Sequence, residues 1–478
     1  MDRCKIVRHN TEKLPNDLII EVLSRLPAKS VAIFRCVSKQ WDSLLASQVF
    51  KESFLTNSLS RPGLLFNFRF GSKWHFFSSP QPQKFGENFS IVAKEHHMGS
   101  YKNCYIESCQ SVHGFIYLRY RSKEIDETTQ VIYNPCTRQH ITLPKLETRY
   151  YDMRSFFVYD PIQKQFKVLC TYMVRKQPTN FDNMLYDMKY QVLTLGSGEL
   201  LWREIECSFP QRPGGKSGRD NGICINGVLY YKTPYANGNI PMQIICFDVS
   251  SEKFSFIKIE KDLFVRNLVN YKGKLGVVVC FTKCNGKIRG EVWVLDDTIE
   301  AKWSKHKFVL PDHAMESMLA TDRGEIVWVS SPSTYPSYVF YYTMESKRVR
   351  RFELIGMEDK VTGKDRYEFH TSTNHVENLM FLYKKPGLIH GTIANPAIKS
   401  VSKNKSDLLI KHGSSASNNI KIIQELREKD TRIKVLEKTC KTILAQNAEI
   451  KRQGEENARQ NAENMKFIDM MRRRFGDF

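Results

Sequence analysis

A repeat constrains this chain more than any other feature. Between about residues 64 and 383 two short patterns recur. One is a glycine-turned hairpin start, as in SVHGFIYLRY, CINGVLYYK, VNYKGKLGVVV and ATDRGEIVWVS. The other is an aliphatic strand, a polar turn and an aromatic return: VIYNPCTRQHITLP, FVYDPIQKQFKVL, ICFDVSSEKFSFIKI, VWVLDDTIEAKWSKHKFVLP and VFYYTMESKRVRRFEL. Gly227, Gly273 and Gly324 stand 46 and 51 residues apart, while Asp248, Asp296 and Met344 are each separated by 48. About four strands fit each unit. A sheet of four short strands cannot bury both of its faces alone, so such units must stack on one another.

The ring starts early. Leu64, Phe66, Phe68 and Phe70 alternate with other residues, Gly71-Ser72 turns the chain, and Trp74 with Phe76 begins a return strand. NHVENLMFL, from Asn374, continues the glycine-turn series and is expected to close the ring against the Leu64–Phe77 hairpin. A period near 50 is that of kelch-like propeller blades. About six blades fit, and a β-sandwich would not need the 48-residue register.

The stretch from Leu14 to Leu45, LPNDLIIEVLSRLPAKSVAIFRCVSKQWDSLL, has helical periodicity instead. Fifteen of its 32 residues are Leu, Ile, Val, Phe, Trp or Cys. Leu18, Ile19, Val22, Leu23 and Leu26 form one apolar stripe, with Asn16 as the expected N-cap. Pro27 ends that helix. A second helix, from Ala28 to Val37, is apolar nearly all round, and Ser38 caps a third that carries Trp41, Leu44 and Leu45. Three such helices lie below the size that stabilises itself, so the surplus apolar side chains call for a partner or for packing on the same chain.

The segment resembles an F-box, the motif by which substrate receptors dock on the Skp-type adaptor of cullin–RING ubiquitin ligases. The matching residues are Leu14-Pro15, Asp17-Leu18-Ile19, Glu21-Val22-Leu23, Leu26-Pro27, Lys29-Ser30-Val31, Phe34-Arg35-Cys36-Val37 and Ser38-Lys39-x-Trp41. The resemblance implies that Leu14, Pro15, Leu18, Leu23, Leu26, Pro27, Val31 and Val37 lie at or near the adaptor contact, with Phe34 and Trp41 in the helical core. From about Arg61 to Tyr383 the chain resembles the F-box-associated domain of plant F-box proteins, through LLFNF…WHFFSSPQ, YNPCTRQHITLP, FVYDPIQKQFKVL, LWREI, INGVLYY, FDVSSEKFSFI and VWVLDD…W. These are turns and core strands, and they imply a recognition module whose substrate they do not name. The irregular basic stretches RKQPTNFDNMLYDMK (175–189) and FPQRPGGKSGRDN (209–221) are candidate recognition loops.

Beyond the repeat, composition shifts to Ser, Asn and Lys, which reads as a linker. Ile422, Leu426, Ile433, Leu436, Cys440, Ile443 and Ile450 then occupy a/d heptad positions, with Asn447 as a polar a residue that would fix register. The register suits a homodimer. The expected fold class is α+β multidomain: a small three-helix F-box, an all-β propeller-like domain of about six blades and a C-terminal helical coiled coil. The expected boundaries are a tail at 1–10, the F-box at 11–55, the propeller at 61–390, a linker at 391–417, the coiled coil at 418–453 and a basic amphipathic tail at 454–478.

Function follows as far as chemistry allows. The formal charge is +21, but the segment from Val401 onward holds 17 Lys and Arg against 11 Asp and Glu, so the excess is spread through the body. Nucleic acid is therefore a disfavoured partner, although a basic nucleic-acid-associated propeller with a helical cap is the alternative reading. No run of about 18 apolar residues suggests a membrane span. Twelve cysteines without pairing rhythm suit reduced thiols of the cytoplasm or nucleus. PGGKSG fails as a phosphate loop, because Pro210 stands where GxxxxGK[ST] needs glycine. His96-His97 lacks metal-ligand spacing and reads as surface histidines; Asp296-Asp297 reads as a turn. No catalytic constellation, metal or cofactor is expected. The expectation is a non-catalytic receptor subunit of an SCF-type ligase, bound to a Skp-type adaptor and through it to cullin, holding an unidentified protein substrate.

Overall fold

A computed structural model describes residues 15–70, 73–82, 90–96, 98, 103–124, 127–146, 151–175, 186–196, 199–208, 222–232, 243–259, 265–284, 287–297, 302–311, 315–330, 337–357 and 369–381. The chain divides into two compact units. One comprises Met1–Val22, Ile33–Ser43 and Pro386–Phe478; the other comprises Leu23–Ala32 and Leu44–Lys385.

The described residues of the larger unit form six antiparallel blades, with the strands of each ordered from the innermost outward. Blade 1 is Phe369–His375, Gly63–Phe70, Lys73–Pro80 and Lys94–His96. Blade 2 is Cys104–Val112, Phe115–Ser122, Thr128–Asn134 and Gln139–Thr142. Blade 3 is Tyr151–Asp160, Gln165–Arg175, Tyr186–Thr194 and Trp202–Ile205. Blade 4 is Ile223–Ile225, Val228–Lys232, Gln243–Asp248 and Lys253–Lys258. Blade 5 is Val265–Tyr271, Lys274–Cys284, Lys287–Asp297 and Lys302–Pro311. Blade 6 is Met315–Ala320, Ile326–Ser330, Tyr338–Thr343 and Arg348–Ile355.

The ring closes through sequence-distant pairing. Phe369–His375 supplies the innermost strand of blade 1, with Phe66 opposite Thr371 and Phe68 opposite Phe369. A second tie runs at the rim, where Ser90–Val92 leaves blade 1 and pairs parallel with Glu353–Ile355 of blade 6. Six apolar clusters fill the six gaps between neighbouring blades. Leu64, Phe66 and Phe68 pack against Val327, Val339 and Tyr341 of blade 6, while Leu65, Trp74 and Phe76 face Ile106 and Leu118 of blade 2. Every blade is thus buried on both faces. That is why alternation in these strands is softer than in a sheet with one wet side.

Turn chemistry explains the repeat. His113-Gly114, Asn226-Gly227 and Lys272-Gly273 all have positive φ at both residues, the two-residue hairpin geometry that matches strand twist. The polar turn is equally regular: Asn134 Oδ1 accepts from Cys136 N at 2.9 Å, Asp160 Oδ1 from Ile162 N at 3.0 Å and Asp248 Oδ1 from Ser251 N at 2.7 Å. FVYDPIQKQFKVL, grouped by sequence with the outer hairpins, instead joins the two inner strands of blade 3. The same Asx turn serves both places, so sequence pattern alone could not separate them. Between blades 3 and 4, buried Lys167 donates to Val249 O at 2.8 Å and lies 3.2 Å from both Asp160 Oδ2 and Glu252 Oε1.

Antiparallel order also assigns faces. Turns between first and second strands, and between third and fourth, lie on one face; the remaining connections lie on the other. The chain enters blade 1 at Gly63 and leaves its innermost strand at His375 on the turn face. Of the candidate recognition loops, 209–221 and 176–185 lie outside the described residues, and Tyr186–Lys189 belongs to a blade 3 strand. The expected coiled coil, with Leu426, Ile433, Leu436, Cys440, Ile443, Asn447 and Ile450, also lies outside them.

Candidate docking segment

Among the described residues four helices precede the blades, one more than expected: α1 Asn16–Leu23, α2 Ala28–Arg35, α3 Lys39–Ala46 and α4 Gln48–Leu59. Sequence reading missed α4 because its apolar residues, Val49, Phe50, Phe54, Leu55 and Leu59, do not gather into one strong stripe. Its start is nonetheless marked, since Ser47 Oγ accepts from Phe50 N at 3.2 Å. Asn16 is the first helical residue rather than a cap, and the Pro15 carbonyl accepts from Ile19 N at 3.2 Å. Pro27 does more than end α1: its carbonyl accepts from Ser30 N at 2.9 Å and Val31 N at 3.2 Å, starting α2.

In the smaller unit, the buried Phe34 ring packs on the half-buried Trp41 ring with centroids 5.6 Å apart. Ser38 Oγ accepts from Trp41 N at 3.2 Å, and Arg35 Nε meets Asp42 Oδ1 at 2.7 Å. Pro15 is exposed, and Leu18 and Ile33 keep 47% and 50% of their surface open. Val37 is half-buried, and Leu14 lies outside the described residues.

In the larger unit, Leu23 and Val31 are buried, Leu26 is half-buried and Pro27 is exposed. Phe50 and Phe54 of α4 are fully buried, with ring centroids 6.2 Å apart. Asn57 Nδ2 donates to buried Ser24 Oγ at 2.8 Å, and Arg61 donates to the Arg25 carbonyl. The residues after the closing strand complete this packing. Glu377 Oε2 accepts from Ala28 N at 2.8 Å, placing a carboxylate at the positive end of α2. Lys51 Nζ lies 4.2 Å from the Phe381 ring centroid. Asn378 Nδ2 donates to His113 O at 2.6 Å, and Asn134 Nδ2 donates to the carbonyls of Asn378 and Met380, each at 3.0 Å. Nothing in local sequence ties Glu377 to a helix 349 residues away.

The apolar excess therefore splits. Leu23, Val31 and Phe34 are spent on the fold, while Leu18 and Ile33 stay open on α1 and α2. Sequence reading singled out Leu18 but not Ile33, although the all-round apolar character of α2 pointed to it. Elsewhere the chemistry is structural. Burial pushes the thiols of Cys109, Cys136 and Cys170 up to about 12, which suppresses the thiolate. No group of three or more His, Cys, Asp or Glu among the described residues is placed to hold a metal. His96 is not a simple surface histidine: its Nε2 lies 2.6 Å from Ser78 Oγ, and its ring stands edge-on to His375. Asp296 and Asp297 end a blade 5 strand, and Asp296 pairs with Lys274 at 2.9 Å.

Comparison with known proteins places both parts. Residues 12–53 match the F-box domain family and residues 63–376 the F-box associated beta propeller domain family. The chain is 58% identical over 422 residues to the putative F-box protein At1g46840 of Arabidopsis thaliana, covering 85% of this chain and 86% of the relative. It is 48% identical over 375 residues to the putative F-box protein At1g46984 of the same plant, covering 77% and 94%. F-box protein DOR, also of Arabidopsis thaliana, is 39% identical over 388 residues, covering 78% of this chain and 95% of the relative.

Proposed function

Because the chain belongs to the F-box proteins that carry an F-box associated β-propeller domain, we propose that it is the substrate-recognition subunit of an SCF-type cullin–RING ubiquitin ligase. The observation that carries this is the open apolar surface of Leu18 and Ile33 on helices within the F-box match. Large exposed apolar side chains on a short helical segment suit a stable protein partner. Pro15, Leu18 and Ile33 make the contact with a Skp-type adaptor, which links the chain to cullin. Leu23 and Val31 act beneath, as core that holds the helices. F-box proteins are generally non-catalytic, so this chain works by raising the effective concentration of a bound protein near the ligase chemistry. The heptad segment at 418–453 would pair two such receptors.

Co-purification of the full chain with a Skp-type adaptor tests the reading. The parent retains the adaptor, while Leu18→Glu with Ile33→Glu loses it and melts as the parent does. A well-folded parent that retains no adaptor would overturn the receptor role. A chain ending before Asn418 that keeps the parent's number of chains per particle in solution would sink the pairing.

A further inference from the structure

We propose that Glu377 is a positioning residue for adaptor docking: its carboxylate fixes the first turn of α2, so the residues that follow ring closure set where this docking helix begins. The proposal rests on the receptor reading above. The need for such a residue arises at Pro27. Its carbonyl accepts from Ser30 N and Val31 N, which puts Pro27 at the N-cap of α2, yet a proline side chain offers no oxygen to the amides of the first turn. Ala28 is only 8% exposed, so water is a poor substitute, and a buried amide left unmet is destabilising. Glu377 Oε2 accepts from that amide at 2.8 Å. A carboxylate also suits the positive end of a helix by its charge. The turn it secures contains buried Val31 and follows exposed Pro27, and the same helix carries Ile33.

Glu377 is itself held from both sides. Val376 before it and Asn378 after it are buried. Asn378 Nδ2 donates to His113 O at 2.6 Å, in the first turn of blade 2, and its Oδ1 accepts from Met380 N at 2.7 Å. Asn134 Nδ2, at the outer turn of the same blade, donates to the carbonyls of Asn378 and Met380, each at 3.0 Å. Gly114 packs against the segment too: a methyl group there would stand 2.6 Å from Val376 O and 2.7 Å from Asn378 Cβ. Blade 2 therefore dictates where Glu377 lies, and the chain arrives there because Phe369–His375, immediately before, closes blade 1.

Other contacts hold the residues after α1, through Asn57 to Ser24 and Arg61 to the Arg25 carbonyl. Glu377 sets the start of α2. Its loss leaves the blades packed, since a carboxylate adds nothing to the apolar clusters between them, and lets the first turn of α2 fray. A frayed turn must be ordered again when the adaptor binds, and that ordering lowers affinity.

The test measures affinity of the full chain for a purified Skp-type adaptor by calorimetry, beside amide hydrogen exchange of the chain without adaptor. Glu377→Ala weakens adaptor binding about tenfold, as loss of one hydrogen bond to a charged group predicts. It speeds exchange at Ala28–Val31 while the blades melt as in the parent. Glu377→Gln keeps an acceptor oxygen and retains the greater part of the affinity. Gly114→Ala displaces the segment and weakens adaptor binding, whereas Gly273→Ala, at the same φ of +83° but with nothing within 4 Å, leaves it unchanged. Parent affinity in Glu377→Ala would overturn the proposal, as would equal weakening by the two Glu377 variants or by the two glycine variants. So would faster exchange spread through the blades, the mark of a merely structural residue. A parent that binds adaptor regardless of Glu377 overturns this proposal alone. A parent that binds no adaptor overturns the receptor reading and this proposal with it, even where exchange in α2 follows Glu377.

Discussion

Acid should loosen the ring at a single histidine. His375 ends the closing strand, stands opposite Gly63, and its Nδ1 lies 2.9 Å from Ser111 Oγ of blade 2. Burial, and then the neighbouring His96, pushes it from 6.5 down to about 3. The folded state therefore keeps this imidazole neutral, while the unfolded chain takes a proton as pH falls through 6.5. Stability that is intact above pH 6.5 is lost progressively as pH falls toward 3, at about 1.4 kcal/mol per pH unit. Between pH 7.5 and pH 5 the loss from this one group comes to about 2 kcal/mol. His375→Gln removes the titration and keeps a side chain that can meet Ser111. Urea unfolding of parent and variant at both pH values isolates the effect, because the other groups titrate in both proteins. The parent should lose about 2 kcal/mol more than the variant. Equal acid dependence in the two proteins would refute the argument, and would mean that His375 takes up its proton without leaving the fold.

The remaining expectations follow from packing and turns. Gly273→Ala should cost about 1–2 kcal/mol, since φ is +83° and nothing crowds the added methyl group. Gly114→Ala should cost more at the same φ, because the methyl would lie 2.6 Å from Val376 O; equal melting points for the two variants would contradict this. Phe54→Ala should destabilise by about 3–5 kcal/mol in urea titration, because it removes a fully buried ring. Lys167→Met should cost about 3–5 kcal/mol, because it leaves Asp160 beside Glu252 without the buried ammonium. Stability unchanged in that variant would show that the carboxylates find other partners.

The extent to which all this was legible in the sequence varies by element. The 48-residue register, the turn at His113-Gly114 and the aromatic hairpin at Leu64–Phe77 specify short paired strands through local chemistry alone: positive φ, Asx side chains and strand-forming residues. The helical period of Leu18 to Leu26 and the cap at Ser38 are local in the same sense. α4 escaped notice because its burial rests on Phe50 and Phe54, two residues whose spacing means little until something packs on them. The position of the Asp160 hairpin within its blade could not be read from the sequence, because its turn is chemically the same as the outer ones.

Local residue chemistry sets the kind of element and its repetition, since strand pairing across a two-residue turn and the first turn of a helix are decided within a few residues. Tertiary structure decided which open and which buried apolar residues share α1 and α2, so that Leu18 and Ile33 are available while Leu23 and Val31 are not. It alone brought Glu377 to Ala28 and His375 to Ser111. Those meetings depend on the closing of the ring, which joins residues hundreds of positions apart. No local pattern encodes them, because each pair is neighbourly only after every blade between has been stacked.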